Sequence, residues 1–366
     1  MKIREIVNAL ERFAPLPLQD DYDNSGLQIG LTETEATGAL LCLDVNEDVV
    51  QEALELGCNL IVSHHPLIFS PLKSITGKNY IERCVIKAIK NDISIYSAHT
   101  SLDNAPYGVS YKMATILGLK SINVLAPKEG ALIKLVVYVP NSYADRVREV
   151  LFESGCGHVG YYDRCSFNAQ GIGTFRAEKG SEPYIGQIGE SVSQPETRIE
   201  TVFPLHLKEK VLKALLEVHP YQAPAYDLIS LKNGWENAGC GVIGNLPLAL
   251  SERDFLRKIL NLFGAVVLKH NEFRQKNVVR VALCGGSGAF LIDEAIKSKA
   301  DAFVTGEIGY HRLFGHRDTI FLVETGHYES EQFTVDLLEE ILKSSFPAIR
   351  VMKSGVGTNP TEYFFN

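Results

Sequence analysis

The sequence predicts an α/β protein in which two strand-helix lobes build a core and a ferredoxin-like unit is inserted between them. Three observations carry this expectation. Strand-like and helix-like stretches alternate over 38–119, the alternation breaks near 126–130 into the order βαββαβ, and the first pattern returns from about 238. With 366 residues, the chain also exceeds the around 250 to 300 residues that one hydrophobic core serves. The expected domains are 1–126 and 237–366, the two parts of one core, and 127–236 as the insert.

Each element has its own signal. MKIREIVNALERF spaces Ile3, Ile6, Val7, Leu10 and Phe13 at a helical period, unlike a signal-peptide core. A strand is expected over 38–45, a helix over 46–57 with Asn46 and Gly57 as its caps, and a second strand over 59–63. A helix over 80–92, a strand over 93–99 and a helix over 109–119 follow. In the insert, strands are expected at 133–140, 165–177 (one strand or a pair), 197–205 and 226–231, with helices at 143–155 and 206–219. Beyond it come strands at 280–286, 302–306, 319–326 and 348–354, a helix at 289–300, and another from Tyr328 to about Leu342. In such sheets, ligands bind in the crevice beyond the strand C-termini.

Bulk properties narrow the function. Hydrophobic residues make up 45% and charged residues 22%, the balance of a folded globular chain. The formal net charge of -8, with basic residues scattered, opposes binding to a phosphate backbone, so no nucleic-acid partner is expected. No run approaches the roughly 18 apolar residues of a membrane span, so no membrane partner is expected either. Seven cysteines, with no CxxC pair and mostly in apolar segments, point to buried reduced thiols in a cytoplasmic protein.

Metal-ligand residue types follow several predicted strands. They are SHHP with His64 and His65, SAHTSLDN with His99 and Asp103, TGEIGYH with Glu307 and His311, and ETGHYESE with His327 and Glu331. Strand alternation makes the two adjacent imidazoles diverge, which suits two ions better than one. His327 and Glu331, four apart at a helix start, fall on one face. Asp103 and Glu331 are the carboxylates available to bridge two cations. Ligand softness favours zinc, manganese, iron, cobalt or nickel over calcium. Taken singly, each histidine reads as a hydrogen-bonded structural residue or a cap; the adjacent pair together with the His/Glu arm is what points to a shared site. CGGSG (284–288) reads as a tight turn or a phosphate cradle. DNSGLQIG (23–30) has the turn chemistry of a short polar loop near the cleft.

DNSGLQIG, IVSHHP, SAHTSLDN, CGGSG, TGEIGYH and GHYESE, in this order, resemble the GTP cyclohydrolase I type 2 homologues, the Nif-three-like family. The central GHVGYYDRCSF, GIGTF and HPYQAPAYDL resemble the PII-like or CutA-like insert of its long bacterial members. The resemblance implies a Nif-three-like core with an inserted PII-like, ferredoxin-like domain. It implies two divalent metal ions per chain, zinc first, held by His64, His65, Asp103, His327 and Glu331, with Glu331 as the bridge. His99 becomes a group behind the ligands, and Glu307 and His311 become cleft residues; Glu307 stands where many members have Asp. The resemblance also implies a homohexamer.

The function expected is a metal-dependent hydrolase of the GTP cyclohydrolase I type 2 kind, acting on a nucleotide or related heterocycle through a metal-activated water. Glu307, His311 or His99 would carry its proton. The alternative is a non-catalytic metal-binding or regulatory oligomeric protein.

Overall fold

The computed structural model describes residues 1–364. The chain divides into two compact units, 1–127 together with 237 onward, and 128–236.

In the first unit, α1 (Ile3–Phe13) buries Ile3, Ile6, Val7 and Leu10, the stripe its period prescribes. Then come β1 (Gly26–Ile29), β2 (Ala39–Cys42), α2 (Glu47–Glu55), β3 (Leu60–Ser63), α3 (Tyr80–Lys90), β4 (Ser94–Ser97), α4 (Thr100–Asp103) and α5 (Val109–Leu117). The side chains of Asn46 and Asn79 accept N–H groups of Val49 and Glu82, starting α2 and α3 as caps do. A five-stranded sheet forms in the order β1-β4-β3-β2 and then a strand from the end of the described chain, β15 (Val351–Lys353). β2, β3 and β4 are buried at every position and run parallel, which is why they are mainly apolar, with Ser63, Ser94 and Ser97 as the polar exceptions.

The second unit contains β6 (Leu132–Pro140), α6 (Ala144–Glu153), β7 (Phe167–Arg176), β8 (Ser191–Pro204), α7 (Lys208–Val218) and β9 (Tyr226–Ser230); β5 (Lys120–Lys128) precedes it. Its sheet has the order β7-β8-β6-β9 with every pairing antiparallel. Leu135, Val137, Ile199 and Phe203 pack on Val147, Leu151, Val211 and Leu215 of the two helices. The segment expected as one strand or a pair is the single strand β7, and β8 starts earlier than expected, at Ser191.

The chain re-enters the first unit with β10 (Trp235–Ser251), α8 (Glu252–Phe263), β11 (Lys269–His270), β12 (Asn277–Cys284), α9 (Ile292–Lys297), β13 (Ala302–Thr305), β14 (Phe321–Glu324), α10 (His327–Glu331), α11 (Thr334–Ser345) and β15 (Val351–Lys353). Its six-stranded sheet has the order β11-β14-β13-β12-β10-β5, with β12, β13 and β14 parallel. Three local expectations change. The helix expected over 289–300 opens as a 3-10 turn, Gly288–Leu291, before α9. The helix expected from Tyr328 begins at His327 and is two helices, α10 and α11. β1, β5, β10, α8 and β11 occupy stretches given no element from sequence; in β10, three glycines and Pro247 mask a strand signal.

All seven cysteines are free thiols, five of them buried. Among the described residues no helix is long and apolar enough to cross a membrane.

Candidate metal centre

Register decides where the polar segments leave the two sheets. Cys42, Ser63 and Ser97 are aligned across β2, β3 and β4, so the chain exits at one level toward Asp44, toward His64 and His65, and toward His99 and α4. Cys284, Thr305 and Glu324 are aligned likewise across β12, β13 and β14, and lead into CGGSG, Glu307 and α10. These are the C-terminal ends of parallel strands, where side chains converge without blocking a ladder.

Glu331 is buried and is the meeting point. Its Oε2 lies 2.9 Å from His65 Nε2 and 3.0 Å from His327 Nε2, and those two nitrogens are 3.3 Å apart. Its Oε1 lies 3.7 Å from His64 Nε2, which is also 3.7 Å from Asp103 Oδ1. Two groups able to hold a cation result, His64/Asp103/Glu331 and His65/His327/Glu331, with Glu331 common to both. A third group, His64/His65/His99, is within reach as well. β3 ends at Ser63, so strand alternation does not govern the pair; the rings sit 4.8 Å apart and meet opposite oxygens of one carboxylate.

Each imidazole is held from behind through Nδ1. His64 Nδ1 faces the Ala98 carbonyl at 3.0 Å, and a carbonyl only accepts, so the N–H is on Nδ1 and Nε2 turns toward the carboxylates. His65 Nδ1–H donates to Asp44 (2.7 Å), His327 Nδ1–H to Glu307 (2.9 Å) and His99 Nδ1–H to Asp23 (2.6 Å). Carboxylate or carbonyl acceptors behind an imidazole fix its ring and raise its basicity as a ligand.

The electrostatics match a site that holds positive charge. Burial works against protonation of His65, but Asp44 and Glu331 outweigh it and lift its pKa to about 10. The hydrogen bond to Glu331 lifts His327 to about 9. Burial opposes ionisation of Glu331, yet the surrounding imidazoles hold its pKa well below the usual range. Burial pushes Asp103 up to about 6. Where no cation sits between these groups, protons take its place.

Two observations test whether a metal fits. Among the described residues His64 Nε2 is fully buried with no hydrogen-bond partner and faces two carboxylate oxygens beyond hydrogen-bond range, a costly arrangement unless a cation is shared among them. The wall is also cut to admit the carboxylate: a Cβ on Gly286 would lie 2.3 Å from Glu331 Oε1, and its φ of +59° suits glycine. The donor set is nitrogen and carboxylate oxygen, the chemistry of zinc and its first-row neighbours. The residues fit the group.

CGGSG is a tight turn. The Gly286 carbonyl accepts N–H groups of Gly288, Gly306 and Glu307, and its own N–H goes to Ser330 Oγ at 3.0 Å. The Gly288 N–H also reaches Thr305 Oγ1, at 2.9 Å, so these N–H groups are taken within the protein, and the turn leaves room for Glu331.

Of the residues singled out in the sequence, His64, His65, Asp103, His327 and Glu331 come together, with His99 adjoining. Glu307 lies behind His327 and also accepts from Ser287 Oγ. His311 is exposed on the 3-10 turn Tyr310–Leu313, its ring against Tyr310 and Phe314, and is in none of the cation-holding groups of the described residues. Asp44 and Asp23 were not singled out. Asp44 carried a signal, a carboxylate just past an apolar strand; Asp23 had only its place in a polar turn. Asp23 also accepts the Thr100 N–H, at 3.0 Å, and so ties the DNSG loop to α4.

Fold and centre together define an α/β protein with a buried His/carboxylate site at the C-terminal ends of two sheets. The chain belongs to the Duf34/NIF3 (NGG1p interacting factor 3) family, whose profile matches residues 1–360. It is 39% identical over 360 residues to a GTP cyclohydrolase 1 type 2 homolog of Halalkalibacterium halodurans, covering 97% of each chain. It is 36% identical over 330 residues to the Bacillus subtilis protein of the same name, covering 89% of this chain and 88% of that one. Among solved structures, a Bacillus cereus protein related to NIF3 superposes with a TM-score of 0.83 at 35% identity, over 100% of this chain and 99% of that one. A Staphylococcus aureus protein gives 0.77 at 28% identity, with the same coverage. The ordered motifs and these comparisons lead to the same family.

Proposed function

We propose that the protein binds two divalent metal ions per chain, zinc first, with manganese, iron, cobalt or nickel as alternatives, and is a hydrolase of the GTP cyclohydrolase I type 2 kind. Its substrate would be a nucleotide or related heterocycle. The observation that supports this most is the division of Glu331, whose two oxygens belong to two separate donor groups. His64 and Asp103 would hold one ion, His65 and His327 the other, and Glu331 both. Ions bound there would supply Lewis acidity and a water of lowered pKa. The chain's own part is to orient the ligands through Asp44, Glu307 and the Ala98 carbonyl, and to hold a proton at His99. The ring of His99 is fixed by Asp23 through Nδ1, which leaves Nε2 to exchange it.

The test is turnover of GTP and other nucleotides by protein loaded with two equivalents of zinc, manganese or iron, read as product release. Full metal occupancy with no turnover on any nucleotide would end the hydrolase reading.

One observation favours a second reading, a non-catalytic metal-binding or regulatory oligomer. Glu307 is committed to His327 and Ser287, and His311 stands outside the cation-holding groups, which leaves His99 alone of the three nominated proton carriers. Both readings share the remaining proposals: a cytoplasmic homohexamer whose middle unit is a ferredoxin-like, PII-like insert. The βαββαβ order and the antiparallel arrangement β7-β8-β6-β9 support the ferredoxin-like part.

A further inference from the structure

We infer that the middle unit carries a binding site of its own, a cavity on the open face of its sheet that takes a small organic cation, an amine or guanidinium compound. No ligand of the proposed metal centre belongs to this cavity.

The hollow follows from the sequence of β7. α6 and α7 cover one face of the sheet, so by strand alternation Tyr138, Glu196 and Arg198 face the other way. On edge strand β7, Gly171 and Gly173 share that open face with Phe175. A Cβ on Gly171 would meet nothing within 4 Å, and one on Gly173 would stand 2.2 Å from Glu196 Oε2. The GIGTF stretch thus omits two side chains on one face, leaving open space at Gly171 and a seat for the Glu196 carboxylate at Gly173. The segment 177–184 and the turn at Tyr221 and Gln222 border the hollow. Gln222 Oε1 accepts the Glu182 N–H at 3.0 Å, tying the two together. The resulting cavity has a volume of about 710 Å³, within the range of small-molecule sites.

Its chemistry selects a cation. Glu196 is 7% exposed and its Oε1 accepts the Tyr221 hydroxyl at 2.8 Å, while Oε2 accepts no hydrogen bond among the described residues. Glu196 lines the cavity, so this oxygen is available to an N–H donor on a ligand. Aromatic rings stand around it: Tyr221 packs on Phe175 at 5.6 Å and on Tyr184 at 6.2 Å between ring centres. Their faces attract ammonium and guanidinium groups. Charge agrees, because Glu178, Glu182 and Glu196 line the cavity against Arg176 and Arg198, and Arg198 is already paired with Glu200 at 2.9 Å.

Calorimetric titration of the full-length, metal-loaded protein with spermidine and with agmatine tests the site, with 1,6-hexanediol as the uncharged control. At least one of the two cations is expected to bind near one equivalent per chain, and the diol not to bind. Glu196→Gln keeps the shape and an acceptor for Tyr221 but removes the charge; it is expected to weaken binding by about tenfold or more. Tyr184→Ala, at an exposed ring, is expected to weaken it severalfold with the melting temperature unchanged, and it carries the test by itself if Glu196→Gln does not fold. The site is overturned if neither cation binds at about millimolar concentration, if the diol binds equally well, or if the folded variants bind as the natural protein does.

Discussion

The two sheets of the first unit contribute to the candidate metal centre in different ways. The sheet built from β2, β3 and β4 supplies imidazoles on short rigid exits, and His64 among them is completely buried. The sheet built from β12, β13 and β14 supplies the shared carboxylate on α10, a glycine turn cut to receive it, and His327, whose side chain is 39% exposed. The first side supplies two imidazoles and Asp103, and the second supplies His327 and the carboxylate of Glu331 that both donor groups share. If the two donor groups each hold an ion, as proposed, both ions depend on Glu331 and each on its own imidazoles.

The largest expected effect tests that division. Glu331→Gln should take metal content per chain from about two equivalents toward zero, whereas His65→Ala should take it only toward one. Elemental analysis of dialysed protein reads both. An unchanged content in His65→Ala would show that the paired histidines do not serve separate ions.

A smaller effect separates the walls. Asp44→Asn leaves His65 Nδ1 without its anionic acceptor, and should weaken metal affinity by about 10- to 100-fold in competition with a chelator. Glu307→Gln acts on the more exposed His327, where water can replace the lost acceptor, and should cost less. Equal losses would mean that exposure does not distinguish the two sides.

The last effect is on pH dependence. In metal-free protein His65 titrates near 10 and His327 near 9, both above the roughly 6.5 of an unfolded histidine. A raised pKa contributes stability in full below about pH 6.5, and that contribution is lost as pH rises through 9 and 10. Denaturant midpoints of metal-free protein should therefore fall between about pH 6.5 and 10. Metal-loaded protein, whose imidazoles are already deprotonated, should lose this slope. A flat profile without metal would show that protons do not stand in for the ions.

Much of this was legible in the sequence because parallel strands buried on both faces must be apolar runs, and polar residues just past them must lie at one edge of a sheet. That logic places His64, His65, Asp103, His327 and Glu331 at strand ends. It fails for β10, where glycines and Pro247 break the apolar pattern while neighbouring strands supply the hydrogen bonds. It fails also for α8, although Ser251 caps it by accepting the Asp254 N–H at 3.2 Å, a signal the sequence does contain.

By itself the sequence determined the alternating α/β pattern, the change of pattern in the middle of the chain, and the ligand types waiting at strand ends, since each is a local consequence of side-chain periodicity. Only the tertiary structure decided that Glu331 meets His65 across 266 residues of chain, that Asp44, Asp23 and Glu307 stand behind three imidazoles, and that GIGTF hollows a sheet face over Glu196. Such pairings arise where strand register and packing bring distant segments within hydrogen-bond reach, and no spacing along the chain encodes that distance.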